Sequence, residues 1–340
     1  MNKFNKLKFS MLGFLMIILL FPSMVTNVCA SENNSGDSVY LGGESFGIKM
    51  FTKGAVVVKF EDFMCQNRSV CPAKSSGIKT NDNIIKADGC SIENNEQLEN
   101  IITHSNGQEI TMTVLRSGDT VEIPVTPKED KNGIYKIGAW IRDSCAGIGT
   151  ISFYNDNGEF AALGHGICDS DTGQLMEISG GTTVKAKING INKAMPGTAG
   201  SLNGYFEKDE IGSIKENTPL GIFGCVNFIP QKDKIMIADI KEVKCGEAVL
   251  HTTIDDTGVQ DFSVEIESIG DKSCNTNKNF VVKITDNRLL NVTGGIVQGM
   301  SGSPITQEGK LVGVLNHVFV NTPEKGYCVF AQNMVSTISN

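Results

Sequence analysis

After residue 30 the sequence lacks any apolar run long enough to cross a bilayer, which takes about 20 apolar residues in a helix. It is also short of basic residues, since 30 Lys and Arg face 38 Asp and Glu and the formal net charge is −8. The glycine, lysine and hydroxyl spacing of a phosphate-binding loop is missing. We therefore expect the bulk of the chain to be soluble, with neither nucleic acid nor nucleotide as a partner.

Paired cysteines are scarce, although the chain has ten of these residues. Cys29 lies in the N-terminal segment, and the remaining nine are odd in number and mostly isolated in apolar runs, so most are expected to be free. Cys65 and Cys71 flank a polar loop, where a disulfide and a chance pairing both stay open. No second pair or nearby histidine completes a tetrahedral site, so no metal is expected.

The first 30 residues have the pattern of an export signal. Lys3, Lys6 and Lys8 precede an uncharged run at 9–28, and no acidic residue comes earlier than position 32. Small residues before the tether allow cleavage after Ala30, and the length of the run also allows retention as a membrane anchor. Both alternatives stay open.

A length of 340 residues favours two folded domains. Residues 31–38 are small and polar and indicate a tether. Residues 39–128 alternate short β-branched runs with one helix, and a charged linker follows at 129–136. Residues 137–340 consist of glycine-punctuated strands with few helix signals, so the predicted fold is mostly β.

The helix of the first domain is predicted from its cap and its apolar spacing. Asn94 or Asn95 can cap the N-terminus, and Leu98, Ile101 and Ile102 repeat at helical spacing. We expect this amphipathic helix to pack on the neighbouring strands.

The stretch SGIKTNDNII at 76–85, followed by Asp88-Gly89 and this helix, resembles the bacterial PDZ domain. Asn81 stands where that family usually has glycine, an exchange that positive φ tolerates. The resemblance implies a PDZ-like α+β module at 39–128 that binds a chain terminus or an extended segment. A β-rich spacer without a ligand is the alternative.

The turn of Phe46, Gly47 and Ile48 is the candidate carboxylate loop of the PDZ-like module. A PDZ-like sheet leaves one edge open, and a peptide can add there as a further strand. We therefore predict peptide binding at these three residues.

The strongest sign of chemistry is GGIVQGMSGSPI at 294–305, because glycines on both sides of Ser301 allow a tight turn that exposes its hydroxyl. If the turn follows serine peptidases with a GDSGGP-like motif, the N–H groups of Gly299 and Ser301 form the oxyanion hole, and Gly299 and Gly302 supply backbone shape. A plain surface turn is the alternative. Cys168 is a rival thiol nucleophile without such a turn.

A serine nucleophile needs a base, usually histidine, and the chain has four. His104 falls in the PDZ-like module. His165 follows an apolar strand and sits among small residues at a loop mouth, which suits a general base. His251 and His317 lie in alternating strands, where a structurally satisfied histidine is expected.

The segments GIGTISFYN, ALGHGICD, ITDNRLL, GGIVQGMSGSPI and LNHVFVNTPEKGY closely resemble the stage IV sporulation B peptidase family of endospore-forming bacteria. That resemblance implies a chymotrypsin-like β-barrel peptidase domain at 137–340 that needs no cofactor. It also implies His165 as general base, Asp286 as the acidic member and Ser301 as nucleophile.

The acidic member is the weakest assignment from the residues themselves. Asp286 lies shortly before Ser301, whereas chymotrypsin-like barrels place the acid much farther upstream, so a structural turn aspartate stays open. Asp169, Asp171 and the pair at 255 and 256 compete for the role. The acid would hold the imidazole tautomer and stabilise its cation.

The resemblance implies a sporulation signalling endopeptidase that cleaves itself and a membrane-bound regulator of an intramembrane protease, which triggers activation of a late sporulation sigma factor. It also implies export to the forespore intermembrane space, secreted or anchored by the N-terminal segment. A catalytically silent PDZ scaffold and an extracytoplasmic chaperone are the alternatives from other classes.

Overall fold

The computed structural model describes residues 38–228, 231–270, 272 and 276–338. The predicted export signal at 1–30 and the tether up to residue 37 lie outside these residues. None of the helices in the described ranges is long and apolar enough to span a membrane. The predicted mostly β architecture is confirmed.

Residues 38–136 form ten strands and two helices. In chain order these are β1 (Ser38–Leu41), β2 (Ser45–Phe60), β3 (Phe63–Cys65), β4 (Arg68–Val70), α1 (Pro72–Ser75), β5 (Asn83–Ala87), β6 (Cys90–Ser91), α2 (Asn95–Thr103), β7 (Ile110–Arg116), β8 (Asp119–Val125), β9 (Lys128–Glu129) and β10 (Tyr135–Lys136).

The described residues from 137 onward are again mostly strands, with two helices near the end. In chain order these are β11 (Ala139–Tyr154), β12 (Glu159–Ala162), β13 (Ile178–Asn192), β14 (Ser201–Thr218), β15 (Gly221–Val226), β16 (Lys234–Ile237), β17 (Gly246–Thr253), β18 (Val259–Ile269), β19 (Phe280–Ile284), α3 (Asn287–Thr293), β20 (Pro304–Gln307), β21 (Lys310–Val318), β22 (Lys325–Phe330) and α4 (Ala331–Ile338).

Helix α2 of the PDZ-like module forms as its sequence predicts. The side chain of Asn94 accepts a hydrogen bond from the Gln97 N–H at 3.0 Å, which satisfies one of the free donors of the first turn. Leu98 and Ile102 are buried in a core that β5, β7, β8 and the second half of β2 complete. The predicted helix is confirmed, with Asn94 as its N-cap.

The turn before β5 carries the predicted positive φ. Asn81 has φ 71°, a conformation that asparagine adopts more readily than most residues. The next residue, Asp82, is buried, accepts from the Lys79 N–H at 2.8 Å and pairs with Arg116 at 2.6 Å. A charge-assisted network therefore fixes the loop at 79–82.

Strand β2 belongs to the PDZ-like module and to the peptidase region at once. It pairs with β11 from Ala139↔Phe60 to Thr150↔Ser45. On its other side the first half pairs with β13, and the second half pairs with β5. The two predicted domains thus share strands, and β11 extends without a break from the module to residue 154.

The segment predicted as a charged linker at 129–136 contains a small hairpin. Strands β9 and β10 pair antiparallel, and Asp130 accepts from the N–H groups of Asn132 and Ile134 in the turn between them. Lys136 pairs with the Asp130 carboxylate at 2.7 Å. This short segment is therefore ordered by its own hydrogen bonds.

Strands β20, β21 and β22 return the chain past residue 301. Pro304 pairs with Val314 in the antiparallel β20–β21 hairpin. The Gly302 N–H donates to the Leu315 carbonyl at 2.8 Å, and the Leu315 N–H donates to the Ser303 carbonyl at 2.9 Å. This register brings the residues after Leu315 to the side of the serine turn.

The eight cysteines in the described part of the chain are free thiols. Cys65 and Cys71 do not form a disulfide with each other, so their closeness in sequence is a chance pairing. Cys71 is buried, and its thiol lies 3.2 Å from the Gly138 carbonyl. The expectation that most cysteines are free is confirmed for these residues.

Candidate active site

Two glycines give the turn around Ser301 its shape. Gly299 has φ 100° and Gly302 has φ 102°, values that residues with a side chain rarely adopt. A Cβ atom on Gly302 would lie 1.9 Å from the Thr150 carbonyl oxygen. Inside the turn the Ser303 N–H donates to the Met300 carbonyl at 3.0 Å. The predicted role of both glycines in backbone shape agrees with this geometry.

Two N–H groups of the turn, those of Gly299 and Ser301, donate no hydrogen bond within the part of the chain that the structure describes. The carbonyls of the same residues are occupied, because Thr150 donates its N–H to Ser301 at 3.0 Å and its hydroxyl to Gly299 at 2.8 Å. Strand β11 therefore anchors the turn by its carbonyls and leaves two donors available to a ligand.

The hydroxyl of Ser301 is half-buried and donates to the carbonyl of Asn316 at 2.7 Å. The Asn316 amide group in turn donates to the carbonyls of Gly164 and Asn277. Asn316 on β21 thus contacts both sides of the site: its carbonyl accepts from the candidate nucleophile, and its side chain donates to the loop before His165.

His165 follows strand β12 in a left-handed turn. Leu163 and Gly164 have φ 68° and 70°, and the Gly164 N–H donates to the Ala162 carbonyl at 2.9 Å. The Nδ1 atom of His165 lies 2.9 Å from the Gly166 carbonyl oxygen, which can only accept, so Nδ1 carries the hydrogen and Nε2 carries the lone pair. Burial lowers the pKa of His165, so the ring is neutral and can accept a proton.

His317 lies directly beside His165, with ring centroids 4.7 Å apart and ring planes at 41°. Its Nδ1 is buried and has no hydrogen-bond partner in the described structure. Burial, with smaller contributions from His165 and Lys278, lowers the pKa of His317 to about 4. The expectation that His317 is a structurally satisfied histidine is wrong. The alternating pattern of β21 could not reveal that the His165 ring lies beside it.

Asp286 is occupied away from His165. Its side chain accepts from the Arg288 N–H at 2.8 Å as the N-cap of α3, and its carboxylate pairs with the Arg288 guanidinium at 2.7 Å. The hydrogen bond from Arg288 is the main cause that lowers the pKa of Asp286 to about 2. The structure places Asp286 in a capping role and does not join it to His165.

Three of the four competing aspartates are also bound elsewhere. Asp169 and Asp171 pair with Arg142, the second pair at 2.6 Å. Asp255 accepts from the Thr257 N–H at 2.9 Å in its own turn. In the described part of the chain, no carboxylate contributes to the shifted pKa of His165.

The other two histidines are satisfied, as the sequence predicts for His251. Its Nδ1 lies 2.6 Å from the Asp261 carboxylate and its Nε2 lies 2.8 Å from the Thr306 hydroxyl. His104 caps the C-terminus of α2, with Nδ1 2.8 Å from the Asn100 carbonyl. Neither ring is hydrogen-bonded to Ser301 in the described structure.

Phe46, Gly47 and Ile48 do not form an open loop. They lie inside β2, where β11 pairs on one side and β13 on the other. Phe46 and Ile48 are buried, at 1% and 2% exposure. Their backbone groups are therefore unavailable to a peptide terminus, because the sheet of the peptidase region takes both edges.

Two protein-family models match this chain. Residues 45–126 match the PDZ domain model. Among solved structures, the inactive form of a serine-to-alanine mutant of Rv3671c from M. tuberculosis H37Rv matches at 11% identity and a TM-score of 0.30, over 56% of this chain and 80% of that chain. No curated protein matches. Residues 133–335, more than half of the chain, match the model of SpoIVB peptidase S55, and the chain therefore belongs to that family and is a serine endopeptidase.

Proposed function

We propose that this endopeptidase acts in sporulation signalling: it cleaves itself and a membrane-bound regulator of an intramembrane protease, and thereby triggers activation of a late sporulation sigma factor. The family assignment supports this role. The observation that carries the catalytic part is the link through Asn316, whose carbonyl accepts from the Ser301 hydroxyl and whose side chain donates to Gly164, the residue before His165.

The proposal places the enzyme in the forespore intermembrane space, secreted or anchored by its N-terminal segment. The three lysines before the uncharged run at 9–28 support export. The proposal also includes a chymotrypsin-like arrangement of the strands from residue 137 onward, which the antiparallel pairing and the order of His165 before Ser301 support.

The proposed chemistry is acyl transfer. The Ser301 oxygen forms a bond to a peptide carbonyl carbon as its proton passes to Nε2 of His165, and the N–H groups of Gly299 and Ser301 bind the oxyanion. The C–N bond then breaks and His165 returns the proton to the leaving amine. Water, activated by the same ring, hydrolyses the acyl-enzyme and regenerates the hydroxyl.

The arrangement of Ser301 requires one adjustment before attack. Its hydroxyl donates to the Asn316 carbonyl, so rotation about the Cα–Cβ bond must carry it toward Nε2 of His165. A single neutral hydrogen bond contributes roughly 0.5–1.5 kcal/mol net. The energy of this switch is therefore small enough for substrate binding to supply.

The PDZ-like module is proposed to bind an extended segment of the protein substrate at a cavity of about 650 Å³ between α2 and β11. Apolar side chains from both sides line it, namely Leu98, Ile102, Ile134, Trp140 and Ile141. Glu61, Asp62 and Glu99 line the same cavity, and Lys136, which also lines it, is paired with Asp130 at 2.7 Å. Charge complementarity therefore favours a segment with apolar residues and a Lys or Arg beside them. An acidic lining also argues against capture of a free terminal carboxylate.

The test of the catalytic proposal follows the full-length chain by intact mass over time, with a serine-directed fluorophosphonate probe and with the membrane-bound regulator co-expressed. Wild type should fragment, label on Ser301 and cleave the regulator, whereas Ser301→Ala and His165→Ala should do none of these. Equal labelling of wild type and Ser301→Ala would refute the assignment of the nucleophile. Normal labelling without cleavage of the regulator would refute the proposed pathway alone.

A further inference from the structure

His165 has an orienting partner, but that partner is a backbone carbonyl. In Ser-His-Asp sites the carboxylate fixes the imidazole tautomer and steadies the cation that forms during the reaction. Here the Gly166 carbonyl accepts from Nδ1 at 2.9 Å, which fixes the tautomer. A carbonyl carries no full charge and contacts the ring only at Nδ1. A second contact is therefore needed to fix the orientation of the ring plane and to stabilise the cation.

His317 supplies a contact of that kind. Its ring packs on the His165 ring at a centroid distance of 4.7 Å. Strand β21 fixes its position, because the chain is hydrogen-bonded through Leu315 to Ser303 and His317 pairs with Tyr327 of β22. The backbone of His317 is therefore fixed, and its ring can limit the rotation of the His165 ring.

The protonation state of His317 suits this position. Its pKa near 4 keeps the ring neutral around neutral pH, so it does not repel the cation that forms on His165. A neutral aromatic ring can attract a cation that lies over its face. The same ring covers His165 and contributes to the burial that keeps it neutral before the reaction.

We propose that His317 is the positioning residue of this active site, and that its ring, together with the Gly166 carbonyl, holds the imidazole of His165 in its orientation. The proposal rests on the proposed roles of Ser301 and His165 and adds one residue to them. His317 touches the general base, and its effect on the substrate passes through His165.

Loss of this ring should change both the rate and the pH dependence of labelling. A general base contributes about 100- to 10,000-fold to the rate, and part of this contribution is lost when the base is no longer oriented. His317→Ala should therefore react with the fluorophosphonate about 10- to 100-fold more slowly. The acid limb of the rate should move to higher pH, because water then reaches His165 and raises its pKa toward 6.5.

The experiment measures the second-order labelling rate of the full-length chain between pH 4 and 9. His317→Phe keeps a ring at this place and should restore most of the rate and the low acid limb. His251→Phe is the matched control, since His251 lies on β17 and contacts Asp261 and Thr306. Circular dichroism on each variant confirms that it is folded.

An unchanged rate and acid limb in His317→Ala would overturn the inference. If that variant does not fold, the phenylalanine variant decides: a rate as low as that of Ser301→Ala overturns the role of the ring, and a rate near wild type supports it. Labelling that persists in Ser301→Ala or is undiminished in His165→Ala overturns the proposed catalytic residues instead, so the two failures are distinguishable.

Discussion

Gly302 is the position at which one added methyl group should do the most damage to the site. With φ 102° an alanine would be strained by about 1–3 kcal/mol. Its Cβ would also lie 1.9 Å from the Thr150 carbonyl, and relieving such overpacking typically costs a further 1–3 kcal/mol. Gly302→Ala should therefore lower the free energy of unfolding by about 2–6 kcal/mol and displace the adjoining Ser301 N–H.

The matched control is Gly258→Ala, because Gly258 has φ 95° and nothing lies within 4 Å of its added Cβ. Urea unfolding of both variants separates the strain of φ from the collision with Thr150. Labelling of folded Gly302→Ala should fall about 100- to 1,000-fold, the usual effect of losing one oxyanion donor. Equal unfolding free energies for the two variants, with normal labelling, would refute this account of the turn.

Three further predictions follow from the site. Asp286→Ala should lower the free energy of unfolding by about 1 kcal/mol through loss of the α3 cap, whereas Asp286→Asn should keep the cap. Both variants should label normally with the probe. Loss of labelling in folded Asp286→Asn would show that this residue is catalytic. The stability that Asp286 contributes should be present above about pH 4 and lost as pH falls through its folded pKa of about 2, so a wild-type acid titration that matches Asp286→Asn would contradict the lowered pKa. Trp140→Ala should weaken cleavage of the protein substrate through KM and leave probe labelling unchanged; equal KM values would remove the cavity beside α2 from substrate binding.

Local signals in the sequence were sufficient for several elements. The cap of α2 was predicted at Asn94 or Asn95, and Asn94 provides it, because a cap bonds to a residue three positions away. The positive φ of Asn81 and the tight turn that the glycines around Ser301 allow were also predicted, since backbone conformation depends on the residue itself. His165 was selected by its place at the end of an apolar strand.

Pairing between distant strands could not be predicted in the same way. Phe46 and Gly47 fit a PDZ carboxylate loop by sequence, but β11 and β13, about 100 or more residues away, take both edges of their strand. His317 was assigned to a half-buried strand, and only the return of β21 past Ser301 puts its ring on His165. Asp286 differs from these two cases, because its partner is local. Arg288, two residues later, donates its N–H to the cap and pairs with the carboxylate.

Strand β2 limits how the role of the PDZ-like module can be tested. Deleting residues 39–128 would remove Phe46, Ile48 and Met50, which are buried in the peptidase region, where the Phe46 ring packs 5.9 Å from that of Phe160. Truncating each such side chain costs about 2–5 kcal/mol, and three together approach the 5–15 kcal/mol that holds a whole domain folded. Lost cleavage after this deletion would therefore report unfolding. A substitution in the cavity beside α2 leaves β2 intact, so a change in substrate cleavage at constant probe labelling isolates recognition from catalysis.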